Sequence, residues 1–190
     1  MSSIKRSDIT GIILAGGKSS RMGQEKGLVK HNGIPFIEHI IRAMETVTDQ
    51  ILIITSQKAY QKYGYKCIPD IFTECGPIGG IYSGLSKTST THNLILSCDI
   101  PFITSFVLEN LIHKHRIKYD ITYYDNNPLI GLYNQSVTHK FLQSIEQKQL
   151  RLMQLLFNLK VQVLEVTEQI TPLVRNINTP EQYNKANIWI

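Results

Sequence analysis

Residues 9–14 read Ile-Thr-Gly-Ile-Ile-Leu, and the chain runs straight on into Ala15-Gly16-Gly17-Lys18-Ser19-Ser20-Arg21-Met22-Gly23. A near-continuous apolar run of this length marks a strand buried on both faces, as in a parallel sheet covered by helices. Further strand-like runs follow at 51–54, 67–68, 94–97, 121–124 and 129–133, and 161–166 alternates as a half-exposed strand does. Between them Phe36, Ile37, Ile40, Ile41 and Met44 recur at helical spacing, with Pro35 expected in the first turn. Helices are also predicted around 106–112, 137–146 and 151–158, and a short one after Pro180. Strands alternating with helices predict an α/β fold: a three-layer, Rossmann-like arrangement around a mostly parallel central sheet. In such sheets ligands lie beyond the carboxyl ends of the strands. That rule puts the 15–21 loop, Asp70 and Asp99 on one rim, since each follows a strand.

The 190 residues suit a single domain, and a chain of this length buries about 70% of its unfolded surface without needing disulfides or a structural metal. Its net charge of +5 comes with no long Lys/Arg run, which disfavours nucleic acid and favours basic residues gathered round a phosphate site. Cys67, Cys75 and Cys98 make an odd set without a CxxC, as expected of a reducing, cytoplasmic setting. The apolar stretch 9–15 is too short to span a membrane. The six histidines show no ligand spacing, and no Ser/His/Asp or Cys/His arrangement points to covalent catalysis.

The chemistry therefore rests on the loop and the rim carboxylates. Adjacent Gly16 and Gly17 let backbone N–H groups approach a phosphate chain, and Lys18, Arg21 and Lys26 add the charge a triphosphate needs. The Walker register fails by one residue: Gly11 and Gly16 are correctly spaced, but residue 17 is Gly rather than Lys. Asp99, at the end of a buried strand, is a candidate ligand for Mg²⁺, which binds through one or two carboxylates plus substrate phosphates. The competing reading is a cap for the next helix. Asp70 shares the rim, and the turn from Glu74 through Gly76 to Gly80 is suited to sit against a flat base. Asn176-Ile177-Asn178-Thr179-Pro180 reads as a polar turn before a helix.

Taken together, Leu14-Ala15-Gly16-Gly17, Arg21-Met22-Gly23, Lys26-Gly27-Leu28, Gly76-Pro77-Ile78-Gly79-Gly80, Cys98-Asp99-Ile100-Pro101, Pro128-Leu129-Ile130-Gly131-Leu132-Tyr133, Leu150-Arg151-Leu152-Met153 and Asn176-Ile177-Asn178-Thr179-Pro180-Glu181 resemble, in order, the motifs of the molybdenum cofactor guanylyltransferases. The resemblance spans nearly the whole chain. It implies one nucleotidyltransferase domain, with a nucleotide-binding half over about 8–102 and an acceptor-binding half over about 103–190. It implies transfer of GMP from GTP to molybdenum-bound molybdopterin, with Mg²⁺ on Asp99. By position, Leu14, Ala15, Gly16, Gly17, Lys26, Asp70, Gly76, Gly80 and Asp99 would bind GTP, with Arg21, Lys26 and Asp99 catalytic. Arg151, Asn176 and Asn178 would face the pterin. It also implies transient contact with proteins that deliver molybdopterin and with the apoproteins of molybdoenzymes. The stretch Ile54-Thr55-Ser56-Gln57 departs from the family, whose members often carry an Asn there. The alternatives are a related transferase using CTP or a sugar phosphate, a P-loop hydrolase, and a nucleotide-binding adaptor.

Overall fold

The computed structural model describes residues 4–16, 25–179 and 181–183. In chain order its strands are β1 (Ile9–Leu14), β2 (Lys30–His31), β3 (Ile34–Pro35), β4 (Gln50–Ile54), β5 (Lys66–Ile68), β6 (His92–Ser97), β7 (Ile121–Tyr124), β8 (Asn127–Asn134) and β9 (Val161–Leu164). Its α-helices are α1 (Phe36–Met44), α2 (Gly76–Leu85), α3 (Ser105–Lys114), α4 (Thr138–Glu146) and α5 (Leu152–Phe157). Seven strands form one sheet in the order β5-β4-β1-β6-β8-β7-β9. Only β8 opposes its neighbours: β6 and β7 both pair with it antiparallel, and every other pairing in this sheet is parallel. The expected α/β fold with a mostly parallel sheet is therefore present.

Alternation along β1 explains the three layers. Ile9 and Ile13 join one core cluster with Ile37, Ile40 and Met44 of α1 and Leu108 and Leu111 of α3. Ile12 and Leu14 point the other way, into a second cluster with Ile78, Ile81 and Leu85 of α2, Phe141 of α4 and Leu156 of α5. All six β1 residues are buried, so neither face is offered to water. Each fully buried Ile or Leu contributes roughly 1.5–3 kcal/mol of transfer free energy. The α2 layer lies flush on β1: a Cβ on Gly84 would fall 2.6 Å from Ile12 Cγ2.

Two boundaries and one hairpin differ from the sequence reading. Pro35 precedes α1 at its N-cap rather than occupying the first turn, because it is paired with Lys30 in the β2–β3 hairpin. That hairpin was not anticipated, although Asn32 (φ 50°) and Gly33 (φ 80°) supply the two positive-φ residues that a tight hairpin turn requires. β9 ends at Leu164 rather than 166, where its parallel pairing with β7 ends at Tyr124. Among the described residues no helix is long and apolar enough to cross a membrane.

Candidate active site

The chain lays β1, β4 and β5 outward on one side, then returns to place β6 on the other side of β1. That reversal opens a crevice at the carboxyl ends of the strands. A cleft of about 530 Å³ occupies it, lined among others by Leu14 and Gly16 after β1, Ile54 at the end of β4, Asp70 after β5 and Ser97 at the end of β6. Glu74, Gly76, Pro77 and Gly80 close it from the start of α2, and Leu129 of β8 from the far side. The rim is stitched by ladder-like bonds beyond the strands: Ala15 N–H donates to Ile54 O (2.9 Å), Cys98 N–H to Leu14 O (3.0 Å), and Thr55 N–H to Ile68 O (2.7 Å).

Asp70 sits between two glycines. A Cβ on Gly16 would lie 3.4 Å from its Oδ2, and one on Gly80 3.5 Å from its Oδ1 and 3.3 Å from Leu14 Cδ2. The absence of side chains at 16 and 80 thus lets the carboxylate and two backbone segments crowd one corner of the cleft. Asp70 Oδ1 is buried with no hydrogen-bond partner among the described residues. Burial raises the Asp70 carboxyl above its ordinary pKa, with the Ser83 hydroxyl pulling it partly back. A carboxylate so placed gains from an incoming cation or donor.

Asp99 lies two residues beyond β6, and α3 begins only at Ser105 with Thr104 as its N-cap. The helix-cap reading of Asp99 therefore fails on distance along the chain. Asp99 is 8% exposed, and its Oδ1 is buried without a hydrogen-bond partner among the described residues. Its Oδ2 takes the Lys26 ammonium at 3.4 Å. The same ammonium donates to Asn178 Oδ1 at 2.5 Å, across 152 residues of sequence. The backbone holds this junction together, since Ile177 N–H donates to Asp99 O at 2.8 Å. Ile177 itself is fully buried among Val29, Phe36 and Phe102. Next to Asp99 the Cys98 thiol is pushed up to about 12, first by burial and then by the neighbouring carboxylate, which leaves it unreactive. Gly27 permits another close approach: a Cβ there would lie 2.6 Å from the Tyr60 hydroxyl and 3.3 Å from Cys98 Cβ.

Of the residues singled out from sequence, Leu14, Gly16, Asp70, Gly76 and Gly80 line one cleft. Ala15 is buried behind it, and Lys26, Asp99 and Asn178 form a connected cluster. Gly17 and Arg21 lie outside the described residues. Two residues stand apart. Asn176 is exposed and lines a separate open groove with Asp125, Asn127, Glu165 and Arg175. Arg151 is exposed at the N-cap of α5 and is not joined to the Lys26 cluster. Ser56 is exposed and is not among the residues lining the cleft. Sequence reasoning missed Ser97, which carries no signal beyond strand position, gave Leu129 no role although it lies in a family-like segment, and left Glu74 unassigned. A positive φ of 64° at Glu74, just before Gly76 at 55°, marks this turn as sharply constrained.

Among the described residues no group of three or more His, Cys, Asp or Glu is arranged to hold a metal ion. The donor set still fits Mg²⁺, which needs only one or two protein carboxylates when phosphates supply the remaining ligands. Asp99 offers a buried oxygen that no donor among the described residues satisfies.

The comparisons with known proteins agree with this architecture. Residues 11–161 match the MobA-like NTP transferase domain. A probable molybdenum cofactor guanylyltransferase of Flavobacterium johnsoniae is 44% identical over 184 residues, covering 95% of this chain and 97% of that protein. The molybdenum cofactor guanylyltransferase of Vibrio parahaemolyticus is 32% identical over 178 residues, covering 90% and 91%. In fold, the chain is similar to molybdopterin-guanine dinucleotide biosynthesis protein A from Archaeoglobus fulgidus, with a TM-score of 0.80, 23% identity, and 95% and 97% of the two chains covered. A CMP:2-keto-3-deoxy-manno-octonic acid synthetase complexed with CTP shares the fold at a TM-score of 0.75 and 18% identity, covering 96% and 98%. With a nucleotide-sized cleft at the switch point and homology running almost end to end, this chain is a nucleotidyltransferase and belongs to the molybdenum cofactor guanylyltransferase family.

Proposed function

We propose that the protein transfers GMP from GTP to the terminal phosphate of molybdenum-bound molybdopterin, forming the guanine dinucleotide cofactor and releasing pyrophosphate. An oxygen of the acceptor phosphate attacks the α-phosphorus. The bond from that phosphorus to the α,β-bridging oxygen breaks, and pyrophosphate leaves with the electron pair. The attacking group is already ionised, so no general base is required. The difficulty is bringing two anions together, and the observation that carries the reading addresses it. Lys26 and Asp99, from the nucleotide side, and Asn178, from the segment read as acceptor-facing, meet at one ammonium.

In this reading the cleft between Gly16, Asp70 and Gly80 takes the nucleotide, and the α2 turn from Gly76 lies against its base. Lys26 binds phosphate and offsets its charge, and in-line positioning supplies much of the remaining acceleration. Asp99 would hold Mg²⁺, which supplies charge compensation at the α-phosphate and the leaving group. Arg21 is assigned to the same charge cluster on sequence grounds. Arg151, Asn176 and Asn178 are assigned to the acceptor. Transient contact with molybdopterin-delivering proteins and molybdoenzyme apoproteins, a cytoplasmic location, and no role for nucleic acid or membrane belong to the same proposal.

The test is incubation with a molybdopterin-bearing protein, Mg²⁺ and each of the four triphosphates, reading dinucleotide formation and pyrophosphate. Product with GTP alone is expected. Product with CTP in preference would replace guanylyl by cytidylyl transfer, and transfer to a sugar phosphate would replace the acceptor.

A further inference from the structure

The resemblance of the 176–181 motif assigns Asn178 to the pterin. The structure gives its side chain another partner, and the surroundings show that this is not a chance surface contact. Thr179, the next residue, does the helix-capping work: its Oγ1 accepts from Gln182 N–H at 3.2 Å. Gln182 in turn accepts from Asn178 N–H through its Oε1 at 2.7 Å. The backbone of Asn178 is thereby fixed while its side chain is spared from capping. On the other side, Ile177 is fully buried and its N–H is bonded to the backbone carbonyl of Asp99. Tyr183, one turn on, reaches back to Lys30 O at 3.1 Å. The C-terminal segment is thus clamped onto the stretch that carries Lys26 and Asp99, and Asn178 Oδ1 presents an acceptor to Lys26 from a fixed point.

We infer that Asn178 is a positioning residue for Lys26, and so acts in nucleotide binding as well as on the acceptor side. The inference rests on the nucleotidyltransferase reading of the site but not on the identity of the base. The physical case turns on charge. A lysine side chain carries a large rotamer entropy, and binding phosphate with it costs less if the ammonium is already aimed. A carboxylate that aims it also cancels it. An amide oxygen takes one of its three protons and leaves the net charge for phosphate. Asp99 and Asn178 divide these tasks. Asp99 neutralises Lys26 at 3.4 Å, a role that would end if Asp99 held Mg²⁺. Asn178 holds the ammonium at 2.5 Å without neutralising it, so the tether would persist with metal and nucleotide bound.

A thermodynamic cycle tests this. Nucleotide affinity is measured by calorimetry, with and without Mg²⁺, for wild type, Asn178→Ala, Lys26→Met and the double variant. The ligand is whichever of the four triphosphates, as a non-hydrolysable analogue, wild type binds best. Asn178→Ala is expected to weaken binding about tenfold in the wild-type background and by less than about twofold beside Lys26→Met, the non-additivity of residues in direct contact. Asn178→Asp keeps the size and the accepting oxygen but adds a charge. It should fold as wild type and bind nucleotide no better than Asn178→Ala. Equal losses in both backgrounds, unchanged affinity for Asn178→Ala, or wild-type affinity for Asn178→Asp would each overturn the inference and leave Asn178 with a packing or pterin-only role. A base preference other than guanine would sink the guanylyl reading and leave the cycle intact.

Discussion

The two sides of the sheet are built by different rules. From β5 to β6 the strands are all parallel and end on the same rim, and each contributes a residue of the cleft from its last position or from the loop that follows. From β8 to β9 the order is set by an antiparallel hairpin whose turn uses Asn126 at φ 58°, followed by a parallel edge strand. The first side is a site that local sequence can announce, since a buried strand followed by glycine or aspartate is both the fold signal and the chemistry. The second side announces only its strands. Its contribution to chemistry, Asn178, arrives from beyond the last strand and lands on the first side.

If that contrast is right, the largest single effect should come from Asp99. Asp99→Asn preserves size and burial, so melting without ligand should be unchanged. Turnover should fall on the order of 10²–10³, with a raised Mg²⁺ requirement, because an amide is a poor ligand for a hard cation. Pyrophosphate release as a function of Mg²⁺ for the two proteins decides it. Near-normal turnover at equal Mg²⁺ would remove Asp99 from the rim chemistry.

The next effect belongs to the seam between the sides. Thr122 donates to Gln162 Oε1, so it accepts from His115 Nδ1–H (2.7 Å). That leaves His115 Nε2 as a buried acceptor without a partner among the described residues, next to the His92 ring. Burial, and to a lesser degree His92, lowers the His115 pKa to about 4. Only the neutral ring suits the fold, whereas the unfolded chain protonates near 6.5. Stability should therefore be unaffected above pH 6.5 and fall progressively down to about pH 4, by up to about 3 kcal/mol. Denaturant titrations from pH 7.5 to 4 should show this loss, and His115→Gln should flatten it. An equally steep profile in the variant would move the acid sensitivity elsewhere.

Gly27→Ala sharpens the comparison on the nucleotide side. The new methyl must displace the fully buried Tyr60 ring or shift the Lys26 turn, at a cost of about 1–3 kcal/mol. Tyr60→Phe should recover part of that loss by removing the hydroxyl that the methyl meets first. No recovery in the double variant would mean that the ring edge of residue 60, 3.1 Å away, or Cys98 Cβ at 3.3 Å sets the limit rather than the hydroxyl. The smallest effect is expected at Arg151, exposed at the N-cap of α5. Arg151→Ala should change stability by under about 0.5 kcal/mol and leave nucleotide affinity unaltered, raising only the acceptor KM. A drop in nucleotide affinity would bring α5 into the first side of the molecule.

How much was legible follows from which residues speak locally. Ile9 to Leu14 are buried on both faces, and an uninterrupted apolar run says so without any partner being known. Gly16 and Asp70 could be placed on one rim because strand ends in a parallel sheet share an edge. The β2–β3 hairpin is equally local in its Asn32-Gly33 signal, since both residues carry the positive φ of its turn. Ser97 carried nothing, because a strand residue that ends at a cleft looks like one that does not.

By itself, then, the sequence determined the class of fold, the strands that stand at its centre and the loop chemistry at their carboxyl ends, since hydrophobic period and turn chemistry act over a few residues. Tertiary structure alone decided that β8 runs against its neighbours, that Asp99 caps no helix, and that Lys26 meets Asn178 152 residues away. Those outcomes depend on which buried faces pack together. Ile177 is driven into the pocket of Val29, Phe36 and Phe102 by apolar burial, and the amide beside it is carried to the ammonium as a consequence.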